Sequence, residues 1–239
     1  MTLEDSILYE IMIGSGVKFT PDEQTIAEFI STYYSGFDLF ELLGDFKQVA
    51  INRNFTWSKE EVSLTEDGLR IHHELHLSPR PLSVIRMLEV ADSKRRVAHE
   101  EMIIPKGFQD QGLSRDFMLP YYQQYKNSNV DKVTVFASLE AGGYAWAKYG
   151  FVAVNHKEVF DVLSGGYKRG VPPLLIKELR RGAVAFYDEN GYSTHFPIHL
   201  WAETPTYGKM LLVGSEWHGE LNLRDAGQMK VFREYLYKN

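Results

Sequence analysis

Apolar positions recur along this chain with two periods, and the switches between them outline its elements. Ile7, Tyr9, Ile11 and Ile13 alternate in part and fit a first strand or a short helix, broken by Gly14-Ser15-Gly16. Ile26, Phe29, Ile30 and Tyr33 then fall on one face at helical spacing. Ahead of them Thr20, Pro21 and Glu23 read as a helix start, with Thr20 as cap and Glu23 closing a capping box. Ser35-Gly36 ends that helix, and a brief apolar segment, residues 37–43, stops at Gly44. From there to residue 104 the period is two. Residues 46–51 read as a strand. Residues 62–64 and 69–77 flank Thr65-Glu66-Asp67-Gly68, a hairpin turn whose Asp-Gly pair accepts positive φ. Leu69, Ile71, His73, Leu75 and Leu77 share one face of the second of these strands, and Arg70, His72, Glu74 and His76 the other. Residues 84–90 and 96–104 make the next antiparallel pair.

Residues 102–151 read as strand, polar loop, helix, strand and short helix. The apolar run Met102-Ile103-Ile104 closes at Pro105, the loop spans residues 106–112, and a helix opens at Leu113-Ser114-Arg115. Residues 130–137 form the next strand. Beyond Phe151 the pattern predicts a strand at 152–154, a helix over 174–185, strands at 192–201 and 209–214, and a last helix capped by Asp225 with Met229, Phe232 and Leu236 inward. The Gly/Pro cluster at 165–173 is the natural boundary, dividing the chain into 1–164 and a C-terminal extension over 165–239. The class is α/β in the wide sense (α+β), with a mixed, mostly antiparallel sheet flanked by helices.

Composition narrows the chemistry. A hydrophobic share of 44% over 239 residues supports a real core and excludes a disordered chain. A net charge of −6 argues against general nucleic-acid binding. The absence of cysteine removes thiolate metal sites and a cysteine nucleophile. No leader pattern or long apolar run is present, so a cytoplasmic protein with no membrane partner is expected.

The loop before Leu113 is the chief candidate site. A strand feeding a helix start leaves backbone N–H groups unpaired at the positive end of the helix dipole, which suits an anion. Gly112 admits close approach, Ser114 adds a hydroxyl, and Lys106 and Arg115 add charge. The bare alternative is a capped helix without ligand. His72, Glu74 and His76 read as a solvated strand face, because His73-Glu74-Leu75-His76 is one residue short of the His-Glu-x-x-His spacing. His195 and His199 give no ligand pattern, Tyr121, Tyr122 and Tyr125 read as packing, and Trp217-His218-Gly219-Glu220 fits a pocket lining or a hairpin turn. On the strand before the loop, alternation puts His99 and Glu101 on one side and Glu100 on the other.

Gln109-Asp110-Gln111-Gly112-Leu113-Ser114 resembles the Gln/Arg-x-x-Gly-x-Gly/Ala signature of the GNAT N-acetyltransferase superfamily. Ile103-Ile104-Pro105 resembles the end of that family's fourth strand, residues 130–137 its fifth, and Trp146-Ala147-Lys148-Tyr149-Gly150-Phe151 its Tyr-x-x-x-Gly-Phe segment. The likeness covers about fifty residues in order. It implies a GNAT-like acyl-CoA-binding domain over 1–164, with acetyl-CoA as acyl donor and an amine as acceptor, joined by direct transfer. It further implies that the amides of Gln111, Gly112, Leu113, Ser114 and Arg115 hold the pyrophosphate, with Gln109 also in the cofactor site, and that Met102, Ile103 and Ile104 line the pantetheine arm. Glu101 is then the candidate base. The family's usual tyrosine acid is matched by Trp146, whose indole is no useful proton donor at neutral pH; Tyr149, three residues on, and Tyr144, two residues before, are the candidates to substitute, Tyr149 first, and neither is the matching position. Pro120 implies a kinked or short helix after the loop. The alternative is a GNAT-fold module without chemistry, a binding or interaction unit of the toxin- or phage-associated kind.

Overall fold

Asp38 opens a 14-residue helix by accepting the N–H of Glu41 through Oδ1 at 2.9 Å, and that helix overrides a strand-like stretch. In the computed structural model, which describes residues 16–77, 80–90, 94–139, 141–204 and 206–238, the helix runs from Leu39 to Asn52. The expected strand at 46–51 is therefore its second half. The reason is spacing: Leu39, Leu42, Leu43, Phe46 and Ala50 are buried at helical intervals that continue straight through Gly44. A side chain at Gly44 would meet nothing within 4 Å, so the glycine costs only its propensity, about 1 kcal/mol against alanine. The expected element at residues 3–13 lies outside the described residues.

The described residues divide into two compact units, one ending at Val130 and the other beginning at Asp131. The first has the order β1 (Val17–Thr20), α1 (Glu23–Tyr33), α2 (Leu39–Asn52), β2 (Thr56–Leu64), β3 (Gly68–His76), β4 (Leu82–Glu89), β5 (Arg96–Ile103), a 3-10 turn (Lys106–Phe108) and α3 (Leu113–Asn127). β1 runs parallel to β2, and β2, β3, β4 and β5 follow as antiparallel neighbours. Helix α1 is capped by Asp22, which accepts the N–H of Thr25 at 2.9 Å; the expected cap at Thr20 instead ends β1. Ile26, Phe29 and Ile30 are buried as expected, whereas Tyr33 is exposed and Tyr34 is buried in its place. In β3 the alternation holds, with Leu69, Ile71, His73 and Leu75 buried. Gly68 opens β3 at φ +145°, so close to β4 that a Cβ would stand 2.0 Å from the Leu88 carbonyl oxygen. Helix α3 keeps 15 residues despite Pro120, so it is not short. Its Gln124 accepts the Asp38 N–H at 2.8 Å and donates to Glu41 Oε2 at 2.6 Å, which ties α3 to the start of α2.

The second unit holds β6 (Lys132–Ala137), α4 (Gly142–Lys148), β7 (Val152–Ala153), α5 (His156–Gly166), α6 (Pro173–Asn190), α7 (His199–Ala202), α8 (Tyr207–Leu212), β8 (Trp217–Asn222) and α9 (Ala226–Leu236). β8 lies between β6 and β7, antiparallel to both. The Gly/Pro cluster at 165–173 falls inside this unit, joining α5 to α6. The strands expected at 192–201 and 209–214 do not form. The first contributes a single bridge from Phe196 to Ala153 before Pro197 and the turn of α7. The second is α8, because Gly208, Leu211 and Leu212 are buried at helical spacing. The strand the sequence leaves open is β8 itself. Trp217, Gly219 and Leu221 are buried on one face, and a Cβ at Gly219 would stand 2.6 Å from the Trp217 ring. Asp225 caps α9 as expected, accepting the Gln228 N–H at 2.9 Å, with Met229, Phe232 and Leu236 buried. Both units are mixed α/β with largely antiparallel strands, and no helix among the described residues is long and apolar enough to cross a membrane.

Candidate functional site

The strand leading into the loop carries a β-bulge. Ile85 of β4 pairs with Glu101 and Arg86 with His99, which leaves Glu100 as the extra residue on β5. A bulge breaks the ladder and leaves carbonyls short of donors. Arg86, fully buried, supplies them: its Nη1 donates to Ile85 O at 2.8 Å and to Glu101 O at 2.7 Å. The bulge also reverses the side-chain alternation, so the expectation that His99 and Glu101 share a side is corrected. His99 turns under α3, with Nε2 2.8 Å from the Tyr125 hydroxyl, while Glu101 stands opposite Ile85 on the other face. Met102 and Ile103 continue the pairing to Val84 and Ser83, and Ile104 leaves the sheet.

After Pro105 the chain makes its 3-10 turn and is laced by its own glutamines. Gln109 Nε2 donates to Ile104 O at 2.9 Å and Gln111 Nε2 to Gly107 O at 2.9 Å. These side chains fix the loop, a role the sequence reading did not separate from ligand contact. Asp110 and Gly112 take positive φ, +61° and +80°, and Gly112 is the left-handed N-cap residue of α3. Its conformation turns the chain so that the N–H groups of Gln111, Gly112 and Leu113 find no acceptor among the described residues. Arg53, the C-cap residue of α2, braces this corner, pairing with Asp116 at 2.9 Å through Nε and reaching Gln111 O at 3.4 Å. Ser114 and Arg115 follow in the first turn, and the Arg115 guanidinium folds back to within 2.9 Å of where a Gly112 Cβ would stand. A run of outward amides at the positive end of a 15-residue helix can hold an anion.

Tyr149 belongs to the second unit, so the two candidate catalytic residues stand on different units. It caps α4 before Gly150, which takes φ +84°. Its ring is 1% exposed, 5.8 Å from Trp146, 5.8 Å from Phe232 and 4.7 Å from Tyr235.

Two polar features escaped the sequence reading. Under α2 and α3 the first unit buries Lys47, Glu60, His73, Arg86 and His99 beside Tyr121 and Tyr125. Glu60 Oε1 accepts from His73 Nδ1 at 3.1 Å, and His73 Nε2 receives the Tyr121 hydroxyl at 2.9 Å. Lys47 Nζ stands 3.4 Å from Glu60 Oε2. Burial holds both imidazoles below their usual range and pushes both tyrosines up. The second feature lies on β8 of the other unit, where the Glu158 carboxylate accepts from His218 Nδ1 and from its backbone N–H, both at 2.7 Å, and Phe136 stacks on the imidazole at 4.5 Å. Sequence adjacency gave no signal for either, because each joins residues from separate elements. No cluster of metal ligands is found among the described residues. No family model matches the chain, and neither the curated proteins nor the solved structures yield a match.

Proposed function

We propose that residues 101–115 bind acyl-CoA and that the protein is an N-acyltransferase using acetyl-CoA and an amine acceptor. The observation that carries this reading is the row of unpartnered N–H groups at Gln111, Gly112 and Leu113, set on the N-terminus of α3 directly after a bulged strand. Pyrophosphate oxygens supply the missing acceptors, and Ser114 and Arg115 in the first turn add a hydroxyl and a positive charge. Met102, Ile103 and Ile104 run alongside the pantetheine, with Glu101 at the reacting end. Direct transfer needs a base for the amine, and in this reading Glu101 supplies it. A second reading, a GNAT-fold module without chemistry, draws support from Trp146 at the family's tyrosine position and from the deep burial of Tyr149.

Calorimetric titration of acetyl-CoA into wild-type protein and Gly112→Glu tests the site. Binding by the wild type that is abolished in the variant supports it, and no binding at millimolar ligand refutes it. Thiol release with an amine present separates the two readings, since a module without chemistry binds acetyl-CoA and releases none.

A further inference from the structure

The second unit sets a histidine on an open sheet face and fixes its ring. β7 ends at Ala153, yet its register with β8 carries on, with the Val154 N–H donating to His218 O at 3.0 Å. The N–H of His218 goes instead to Glu158 Oε2 at 2.7 Å. Glu158 sits in the first turn of α5, behind the Asn155 cap, and its other oxygen, Oε1, lies 2.7 Å from His218 Nδ1. One carboxylate therefore holds one residue at two points, main chain and ring, through charge-assisted bonds. An ionised carboxylate only accepts, so Nδ1 carries the proton and the neutral ring presents the lone pair of Nε2. Nε2 makes no hydrogen bond among the described residues, and the side chain is 55% exposed.

The registers set Phe136, His218 and Val154 in one line across β6, β8 and the end of β7. Phe136 stacks on the imidazole at 4.5 Å and 24°, and Val154 stands on the other flank. Phe136 is 49% exposed and Val154 37%, so solvent reaches the ring from both sides and a small apolar molecule has a surface to lie against. Two residues along the same face, Glu220 pairs with Lys132 at 2.8 Å, and His195 Nδ1 is 3.7 Å from the same oxygen. Lys132, a cation of this face, is thus engaged. Two carboxylates, Glu158 and Glu220, share the face with the ring, so it suits a neutral electrophile better than an anionic one.

We propose that His218 is the nucleophile of a second activity, the hydrolysis of small neutral carboxylic esters, with Glu158 as its positioning residue. This activity is independent of the acyl-CoA reading, which rests on residues 101–115. Nε2 attacks the ester carbonyl carbon, the N–C bond forms, and the C–O bond breaks as the alkoxide leaves with the electron pair. The acylated ring is cationic and keeps its Nδ1–H, which the Glu158 carboxylate stabilises. Water then attacks the acyl carbon, and the N–C bond returns its electron pair to Nε2. Of the two protons of that water, one neutralises the alkoxide and the other leaves with the carboxylic acid.

The test uses the full chain with p-nitrophenyl acetate as probe and no CoA present. Release of p-nitrophenolate by the wild type should exceed that from an eightfold concentration of N-acetylhistidine amide, which matches the eight histidines of the chain. His218→Gln should lower the rate about 10-fold, the other histidines supplying the remainder. Wild type quenched during turnover should carry an acetyl group on His218. The 15N spectrum of the His218 ring should show a protonated Nδ1 in the wild type and a mixture of tautomers in Glu158→Ala, with slower release. Unchanged circular dichroism establishes that both variants are folded. Release by His218→Gln within about twofold of wild type overturns the assignment. So do acetyl groups found only on other residues, a wild-type rate no higher than that of the free amide, or a wild-type ring protonated at Nε2.

Discussion

Lowering the pH forces protons onto two imidazoles that the first unit buries without charge. His73 is stacked on Phe46 at 3.8 Å and enclosed by Glu60, Lys47, Tyr121 and Arg86, and His99 is enclosed by Tyr125 and Arg86. Burial lowers both pKa values; for His73 this outweighs the opposing pull of Glu60, and for His99 the Arg86 charge adds to it. The sign follows from linkage. A histidine whose folded pKa is depressed binds fewer protons folded than unfolded, so its share of stability is intact above the unfolded value, 6.5, and is lost as the pH falls below it. Each contributes a slope of up to about 1.4 kcal/mol per pH unit, so the pair reaches about 2.8 kcal/mol per unit. Against a typical total of about 5–15 kcal/mol, two pH units consume a large part of it. Urea unfolding followed by amide hydrogen exchange in β3 and β5 measures this at several pH values between 7 and 5. His99→Gln should keep the direction and halve the slope. A flat profile below 6.5, or a slope unchanged in His99→Gln, would refute the reasoning.

Three further changes probe the framework. Gly68→Ala places a Cβ 2.0 Å from the Leu88 carbonyl oxygen at φ +145°; a loss of about 3 kcal/mol is expected in urea denaturation, and a loss under 1 kcal/mol would contradict the close β3–β4 approach. Asp22→Ala removes the cap of α1 and should cost about 1 kcal/mol, whereas Thr20→Ala should cost less than half as much. Gly219→Ala drives a methyl into the Trp217 ring and Val135, so a clear fall in Tm is expected together with altered Trp217 fluorescence.

Where one residue's burial decided an element, the sequence was a good guide. The alternation of Leu69, Ile71, His73 and Leu75 and the inward face of α9 are visible as spacing. Gly112 stood out as a point of close approach in a Gln-x-x-Gly loop, and the structure adds that it is the left-handed N-cap of α3. Residues 46–51 misled because Gly44 looks like a stop, yet it sits on an open helix face where nothing depends on its side chain. Residues 209–214 misled because a short apolar run fits a strand and a buried helical turn equally well. The bulge at Glu100 was invisible, since strict alternation contains no sign of an inserted residue. Its stabiliser, Arg86, lies on another strand. The same holds for His72 with Ser83 and for His218 with Glu158, pairs made by register and packing.

The central claim, that the amides opening α3 receive the pyrophosphate of acyl-CoA, is tested most directly by residue-resolved amide spectra of the 15N-labelled protein during titration with acetyl-CoA. The account predicts that the N–H signals of Gln111, Gly112 and Leu113 shift furthest and become the most protected from exchange at saturation. Saturation that leaves those three amides unmoved would contradict it.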